Sequence, residues 1–360
     1  MNIVITGGAG FIGCNIADAL KNKAKVTVLD NLSRRGTEAN LEWLRSRNPA
    51  LNFVYADLRS YNDLCKPDAV KAFAEADAVY HLAGQVAVTT SVTDPREDFE
   101  VNALGTFNLI QAVRMFGQDG GRHPVVIYAS TNKVYGGMED VRIELRDRNG
   151  SKRYEYADMP LGASENINID FHSPYGCTKG YADQYVRDVA RPDIYNMKTV
   201  VFRQSCIYGP RQFGIEDQGW VAWFTIAAAT GINASIYGDG MQTRDVLHVD
   251  DLVRAYEMAT QQADKVKGQI FNIGGGPENT MSLLELIQYL EKFSGKKLTY
   301  RFADWRPGDQ RSFVCDIRKA KNTFGWAPQT NVHAGIRSLY DWIQSMLQDD
   351  PHVFDFLRKK

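Results

Sequence analysis

Asn2–Gly13 reads Asn-Ile-Val-Ile-Thr-Gly-Gly-Ala-Gly-Phe-Ile-Gly, and this stretch decides the fold. Asn2–Thr6 is a short β-branched run, which predicts a strand. Gly7, Gly10 and Gly13 follow with G-x-x-G-x-x-G spacing. The first glycine permits a tight turn, and the second lets backbone approach a pyrophosphate. The third lets the next helix pack close to the strand, with its N-terminus facing the phosphates. Strand, glycine turn and helix in that order are the context the motif requires.

The next strands extend the pattern. Lys25–Asp30 predicts a second strand ending in an acid. Asp30 stands where a carboxylate accepts hydrogen bonds from both adenosine ribose hydroxyls and repels a 2′-phosphate, which selects NAD over NADP. Arg34 and Arg35 follow closely and are the side chains that would hold such a phosphate. A third strand, Asn52–Tyr55, leads to Asp57, an acid suited to the adenine edge or to capping the next helix. A fourth, Ala78–His81, leads into Leu82, Ala83, Gly84 and Gln85, small enough at their start for backbone to lie against a cofactor. His81 reads as a satisfied core residue. A helix over Arg96–Met115 carries Asn102, a buried amide that needs partners and is placed to brace the site. The fifth strand, Val125–Ala129, runs into Ser130, Thr131, Asn132 and Lys133. Strand ends on this edge are where such sheets place chemistry.

Phe171–Gly180 (Phe-His-Ser-Pro-Tyr-Gly-Cys-Thr-Lys-Gly) supplies the reactive groups. Ser173 is a good N-cap and Pro174 suits the first helical position. Tyr175 and Lys179 then lie one turn apart on one face. An ammonium beside a phenol favours phenolate, so the expectation is a tyrosine pulled below its ordinary value of about 10.

Composition narrows the class. The chain has 360 residues, 44% hydrophobic and 24% charged, with net charge −1. Mixed charge near neutrality argues against a dedicated binder of nucleic acid or membrane surfaces. No apolar run approaches about 18 residues, and the N-terminus runs straight into a strand with no leader. Cys14, Cys65, Cys177, Cys206 and Cys315 are scattered, which suits reduced thiols in a cytoplasmic protein with no metal site.

Alternating strands and helices up to the strand Thr199–Arg203 predict an α/β fold, a doubly wound parallel sheet of Rossmann type. The expected division is a dinucleotide-binding domain over 1–205, a smaller C-terminal α/β substrate domain over 206–348 interleaved with it, and a tail over 349–360. Within the first domain, 137–170 is polar and rich in turn residues. It reads as a surface insertion with a hairpin across Asn149 and Gly150, long enough for a lid or a subunit contact. Trp220 and Trp223 read as core.

Taken together, the glycine fingerprint, Asp30, Thr131 and the Tyr175/Lys179 pair resemble the extended short-chain dehydrogenase/reductase family, the nucleotide-sugar epimerases and dehydratases. The resemblance runs from Met1 to about Met346. It implies Tyr175 as base, Lys179 holding the nicotinamide ribose, and Thr131 positioning a sugar hydroxyl. It implies bound NAD lined by Gly7, Gly10, Phe11, Ile12, Gly13, Asp30, Asn31, Asp57, Leu58, Leu82, Ala83, Gln85, Asn102, Ser130 and Arg203. It implies a nucleotide-sugar site of Gln85, Thr131, Asn132, His172, Tyr175, Gln204, Arg211 and Gln218. Arg244 and Arg306 would take the diphosphate and Asp309 the nucleoside ribose. The family's dehydratases carry an Asp-Glu pair after the threonine; here it is Asn132-Lys133, which removes the acid and base of elimination. The finer likeness, in Gly84-Gln85-Val86-Ala87, Ser130–Gly136 and Asp217-Gln218-Gly219-Trp220, is to members that invert C2 of a CDP-linked hexose as homotetramers or dimers. One departure is Cys206, where many relatives have Asn. Three rivals stay open: a UDP-sugar 4-epimerase, a reductase that releases its cofactor each turnover, and a non-catalytic NAD-sensing protein on the same fold.

Overall fold

Seven strands pair side by side, all parallel, in the computed structural model of the chain. The structure describes residues 1–117, 123–148, 150–306 and 309–357. Asn149, expected in the hairpin turn, lies outside them, as do 307–308 and the last three residues of the expected tail.

In chain order the strands are β1 Asn2–Thr6, β2 Lys25–Asp30, β3 Asn52–Tyr55, β4 Ala78–His81, β5 Val125–Thr131, β6 Ile143–Arg148, β7 Ser151–Tyr156, β8 Thr199–Gln204, β9 Cys206–Tyr208, β10 Ala234–Tyr237, β11 Thr243–His248, β12 Gln269–Ile273, β13 Thr280–Ser282, β14 Tyr300–Ala303 and β15 Ser312–Phe313. The main sheet runs β3-β2-β1-β4-β5-β8-β12. Chain order reverses between β1 and β4, which opens a crevice at their carboxyl ends.

Both faces of this sheet are buried, so its strands are apolar throughout. Side chains alternate between the faces. Ile3 and Ile5 join the layer that holds the helices Phe11–Leu20 and Val249–Gln261. Val4 joins the layer of Pro67–Glu75, Gly105–Phe116 and Pro174–Asp188. Each such buried Val or Ile contributes about 1.5–3 kcal/mol.

The far half of the chain contributes to both the main sheet and the smaller unit. β12 lies beyond residue 205, yet it is the seventh strand of the main sheet, paired with β8 from Gln269↔Val200 to Ile273↔Gln204. The segment after 348 is not a loose tail as far as Leu357. Phe354 is buried against Phe213 and Trp342, and Arg35 covers the Phe356 ring at 4.5 Å.

The smaller unit sits over the carboxyl edge. Its core gathers the helices Trp220–Thr230, Leu283–Ser294 and Val332–Asp349 around β10 and β11. A Ser282/Glu285 capping box starts the second of these helices. The β6–β7 hairpin lies on this unit: Tyr154 donates its N–H to the Met241 carbonyl at 3.0 Å and its hydroxyl to Asp239 at 2.6 Å. Among the described residues, no helix is long and apolar enough to cross a membrane.

Candidate active site

A cleft of about 740 Å³ runs from the glycine turn, across the sheet's carboxyl edge, to the smaller unit. One end is built by the sequence that opens the chain. Gly7 has φ +67, and a Cβ there would sit 2.7 Å from the Ala83 nitrogen. A side chain at Gly13 would run into the Gly7 carbonyl oxygen. Gly10 caps the Phe11–Leu20 helix without a side chain, which leaves first-turn N–H groups for an anion. Asp30 ends β2 and accepts from Ala9 N–H at 3.0 Å and Leu32 N–H at 2.8 Å. Burial holds its carboxyl above the usual range against those bonds. Asp57 is paired with Arg59 at 2.7 Å and receives Asn31 Nδ2 at 3.1 Å, and these partners, led by Arg59, hold it low. This cradle fits a dinucleotide: bare backbone for a pyrophosphate and a carboxylate for a ribose.

At the carboxyl end of β5, farther along the cleft, stands the reactive group. Ser173 accepts from Gly176 N–H at 3.0 Å and Pro174 begins the helix, as its sequence predicts. Tyr175, Thr131 and Lys179 all line the cleft and all are buried. Lys179 donates to the Ala129 carbonyl and lies 4.3 Å from the centre of the Tyr128 ring. Burial pulls its pKa down to about 7, against the pull of Asp98 and Asp183. Burial also pushes the Tyr175 phenol up to about 12, with the Thr131 hydroxyl beside it drawing it back. The expected lowering of the tyrosine is therefore not found. The ammonium is spent on a carbonyl and an aromatic face, and desolvation of the phenol dominates.

Asn102 explains how the helix is held. It sits in a π-helical turn, Glu100–Leu104, that interrupts the predicted helix. Its Oδ1 accepts from Gln85 N–H at 3.0 Å, and its Nδ2 reaches Asp98 at 3.2 Å and Thr178 at 3.3 Å. One amide thus ties the loop after β4 to the Tyr175 helix.

Most other predicted residues converge on the cleft. Phe11, Ile12, Leu58, Leu82, Ala83 and Ser130 line it near the cradle and the sheet edge. Asn132, Gln204, Arg211, Gln218, Arg244, Arg306 and Asp309 line it toward the smaller unit. Arg244 bonds Asp309 at 2.7 Å. Arg306 bonds Asp217 at 2.7 Å and lies 3.9 Å over the Tyr237 ring. Arg211 adopts φ +70, a conformation costly for any side chain, and its guanidinium lies 4.2 Å over Trp43.

Four predicted residues are placed elsewhere and do not line the cleft. Arg203 is buried in a two-pronged pair with Asp183, at 2.9 Å for both bonds. Gln85 folds its side chain back onto Ala87, and Asn102 is the brace already described. His172 points to Asp170 at 2.9 Å and to Gly137 N–H at 3.2 Å, because those nearby partners sit on its own loop and the next. Conversely, Trp220 and Trp223 face the cleft instead of only filling the core, and so do Lys133 and Cys206. The Trp223 indole N–H has no partner among the described residues. The signal available for Lys133 was its place directly after Thr131-Asn132.

A glycine cradle and ribose acid at one end of a cleft, with a Thr/Tyr/Lys group at the other, define a dinucleotide-dependent oxidoreduction site on a Rossmann sheet. The chain belongs to the NAD dependent epimerase/dehydratase family, whose model matches residues 3–274. The cofactor is accordingly NAD. The chain is 43% identical over 352 residues to the CDP-paratose 2-epimerase of Salmonella typhi, covering 96% of this chain and 100% of that one. Among solved structures it is similar to UDP-glucose 4-epimerase with UDP-glucose from Thermotoga maritima, at TM-score 0.79 and 30% identity over 96% of this chain and 100% of that one. It is also similar to UDP-glucuronic acid 4-epimerase from Bacillus cereus in complex with UDP-glucuronic acid and NAD, at TM-score 0.78 and 27% identity, with the same coverage.

Proposed function

We propose that this protein is a nucleotide-sugar epimerase that inverts C2 of a CDP-linked hexose, through transient oxidation to a keto sugar and return of the hydride to the opposite face. The observation that carries this reading is the cleft residue pair after Thr131. Asn132 and Lys133 stand there, so the two positions after Thr131 offer no carboxylate acid and base for elimination. The 43% identity to a CDP-paratose 2-epimerase over nearly the whole chain favours C2 and a cytidine nucleotide.

NAD, when bound, accepts and returns the hydride. The chain's own part is proton handling and orientation. The Thr131 hydroxyl orients the reacting sugar hydroxyl. Tyr175, as phenolate, takes that hydroxyl's proton as the carbinol is oxidised, and the resulting phenol returns it when the ketone is reduced. Lys179, four residues on along the same helix, lines the same cleft, where its amine suits a ribose hydroxyl. Arg244, Arg306 and Asp309 gather on the opposite wall, where guanidinium forks suit a diphosphate and a carboxylate suits a ribose.

A second reading is inversion at C4 of a UDP-sugar, favoured by the likeness to the Thermotoga maritima 4-epimerase. Incubation with a panel of nucleotide sugars in deuterated water, followed by NMR, separates the two. The C2 reading expects a C2 epimer with no deuterium in the sugar. A C4 epimer, or solvent deuterium in a deoxygenated product, would replace it.

The reading also places the enzyme in the cytoplasm as a homo-oligomer. Phe107 and Tyr181 are 40% and 44% exposed, and both contact Tyr185 on the helices beside the site. A second copy of this chain is the occupant proposed for that aromatic face. Sedimentation velocity is expected to give a dimer or tetramer that Phe107→Glu with Tyr181→Glu reduces to monomer. A wild-type monomer would overturn it.

A further inference from the structure

Lys133 stands on the 3-10 turn Asn132–Tyr135 that closes β5, and Thr131 Oγ1 accepts its backbone N–H at 3.2 Å. That bond fixes the lysine to the residue expected to touch the reacting hydroxyl. Its ammonium reaches across the cleft to Asp309 Oδ1 at 3.7 Å, the same oxygen that Arg244 Nη2 holds at 2.7 Å. Two cations thus converge on one carboxylate oxygen. Lys133 is the more weakly engaged, at a distance past hydrogen-bond length, so its N–H donors stay available. Its side chain keeps 23% of its surface and lines the cleft between Thr131 and the Arg244 wall.

This position matters because of where the sugar is attached. In a nucleotide sugar the anomeric carbon carries the phosphate. C2 is bonded to that carbon, whereas C4 lies across the ring from it. To bring C2 against Thr131 and Tyr175, an enzyme must hold the sugar-bearing phosphate closer to the end of β5 than C4 chemistry requires. Arg244 serves the same Asp309 oxygen from a strand of the smaller unit, whereas the Lys133 backbone is bonded directly to Thr131. A cation on the turn that carries Thr131 defines that depth.

We propose that Lys133 is a positioning residue that holds the sugar-bearing phosphate beside Thr131, and so selects C2 as the carbon presented to Tyr175. This rests on the C2 reading above. Asp309 is the counter-ion that keeps the ammonium aimed into the cleft until a phosphate takes its place.

The test is the preference for CDP over CMP as competitive inhibitors of wild type, Lys133→Met and Lys133→Arg, with NAD content measured alongside. CDP carries the second phosphate and CMP lacks it. In Lys133→Met the preference for CDP is expected to fall about 10- to 100-fold, the size of a lost charge-assisted hydrogen bond, with NAD content unchanged. Lys133→Arg is expected to keep most of the preference. If Lys133→Met does not fold, Lys133→Gln carries the same measurement. An unchanged preference, or equal weakening of CDP and CMP as expected if the lysine only steadies Asp309, would overturn the role of Lys133. Wild-type enzyme that inverts C4 in the NMR panel would overturn the parent reading whatever the variants do. Wild type that inverts C2 alongside an unchanged preference would overturn this inference alone.

Discussion

Tyr175→Phe is expected to lower turnover about 10²–10⁴-fold while the protein keeps its normal NAD content. The substitution preserves the ring, which is buried at 7% exposure in the first turn of the Pro174–Asp188 helix. It leaves the Ser91 Oγ bond to the Tyr175 backbone at 3.1 Å untouched, so the helix start stays anchored. Only the hydroxyl is lost, and with it the group that exchanges a proton with the sugar. Thr131 still orients the substrate, but its hydroxyl is no substitute as a base. Turnover by NMR and NAD released on denaturation are the two measurements. Full activity in the variant would remove the proton-transfer mechanism. No activity in wild type with normal NAD content would instead support a protein that only senses the dinucleotide.

The parts of this structure that were legible in the sequence are those set by local chemistry. β1 and β2 end where β-branched runs meet Gly7 and Asp30. The Ser173 cap and Pro174 fixed the register of Tyr175 and Lys179 before any tertiary contact was considered. Several features depend on contacts between distant segments, and those were not legible. β12 is an ordinary five-residue run whose place beside β8 follows from the closing of the sheet across about 65 residues of chain. Asn102 was recognisable as a buried amide in need of partners, but its π-helical turn was not, since that turn exists to aim the amide at Gln85 and Thr178. His172 drew attention as a histidine near the tyrosine. Its neighbours Asp170 and Gly137 hold it on the outer side of the loop. Lys133 was read through what it replaced rather than what it brings.

Arg203 gives the second large effect, and it concerns stability. The resemblance placed it among the cofactor contacts. The structure buries it at 3% exposure behind that edge. Nε and Nη2 donate to the two oxygens of Asp183, and Nη1 reaches the Tyr135 hydroxyl at 3.1 Å. Ser130 Oγ donates to the same carboxylate at 2.7 Å, and the Tyr135 hydroxyl donates to Asn272 Oδ1 at 2.8 Å. Burial alone would push the guanidinium down, but Asp183 outweighs it and holds it above its ordinary value. The network thus joins β5, β8, β12 and the Tyr175 helix beneath Thr131. Arg203→Met removes one partner and leaves Asp183 charged in a dry interior, so the expected loss is about 3–5 kcal/mol of unfolding free energy. Arg203→Lys should recover little of it, because one ammonium cannot match both carboxylate oxygens and the tyrosine. Replacing both partners, Arg203→Leu with Asp183→Leu, should recover much of it, since no buried charge is then left unpaired. Urea denaturation measures all three. If Arg203 touched the cofactor instead, Arg203→Met would lose NAD affinity with little change in the urea midpoint, and the double variant would be no better than the single.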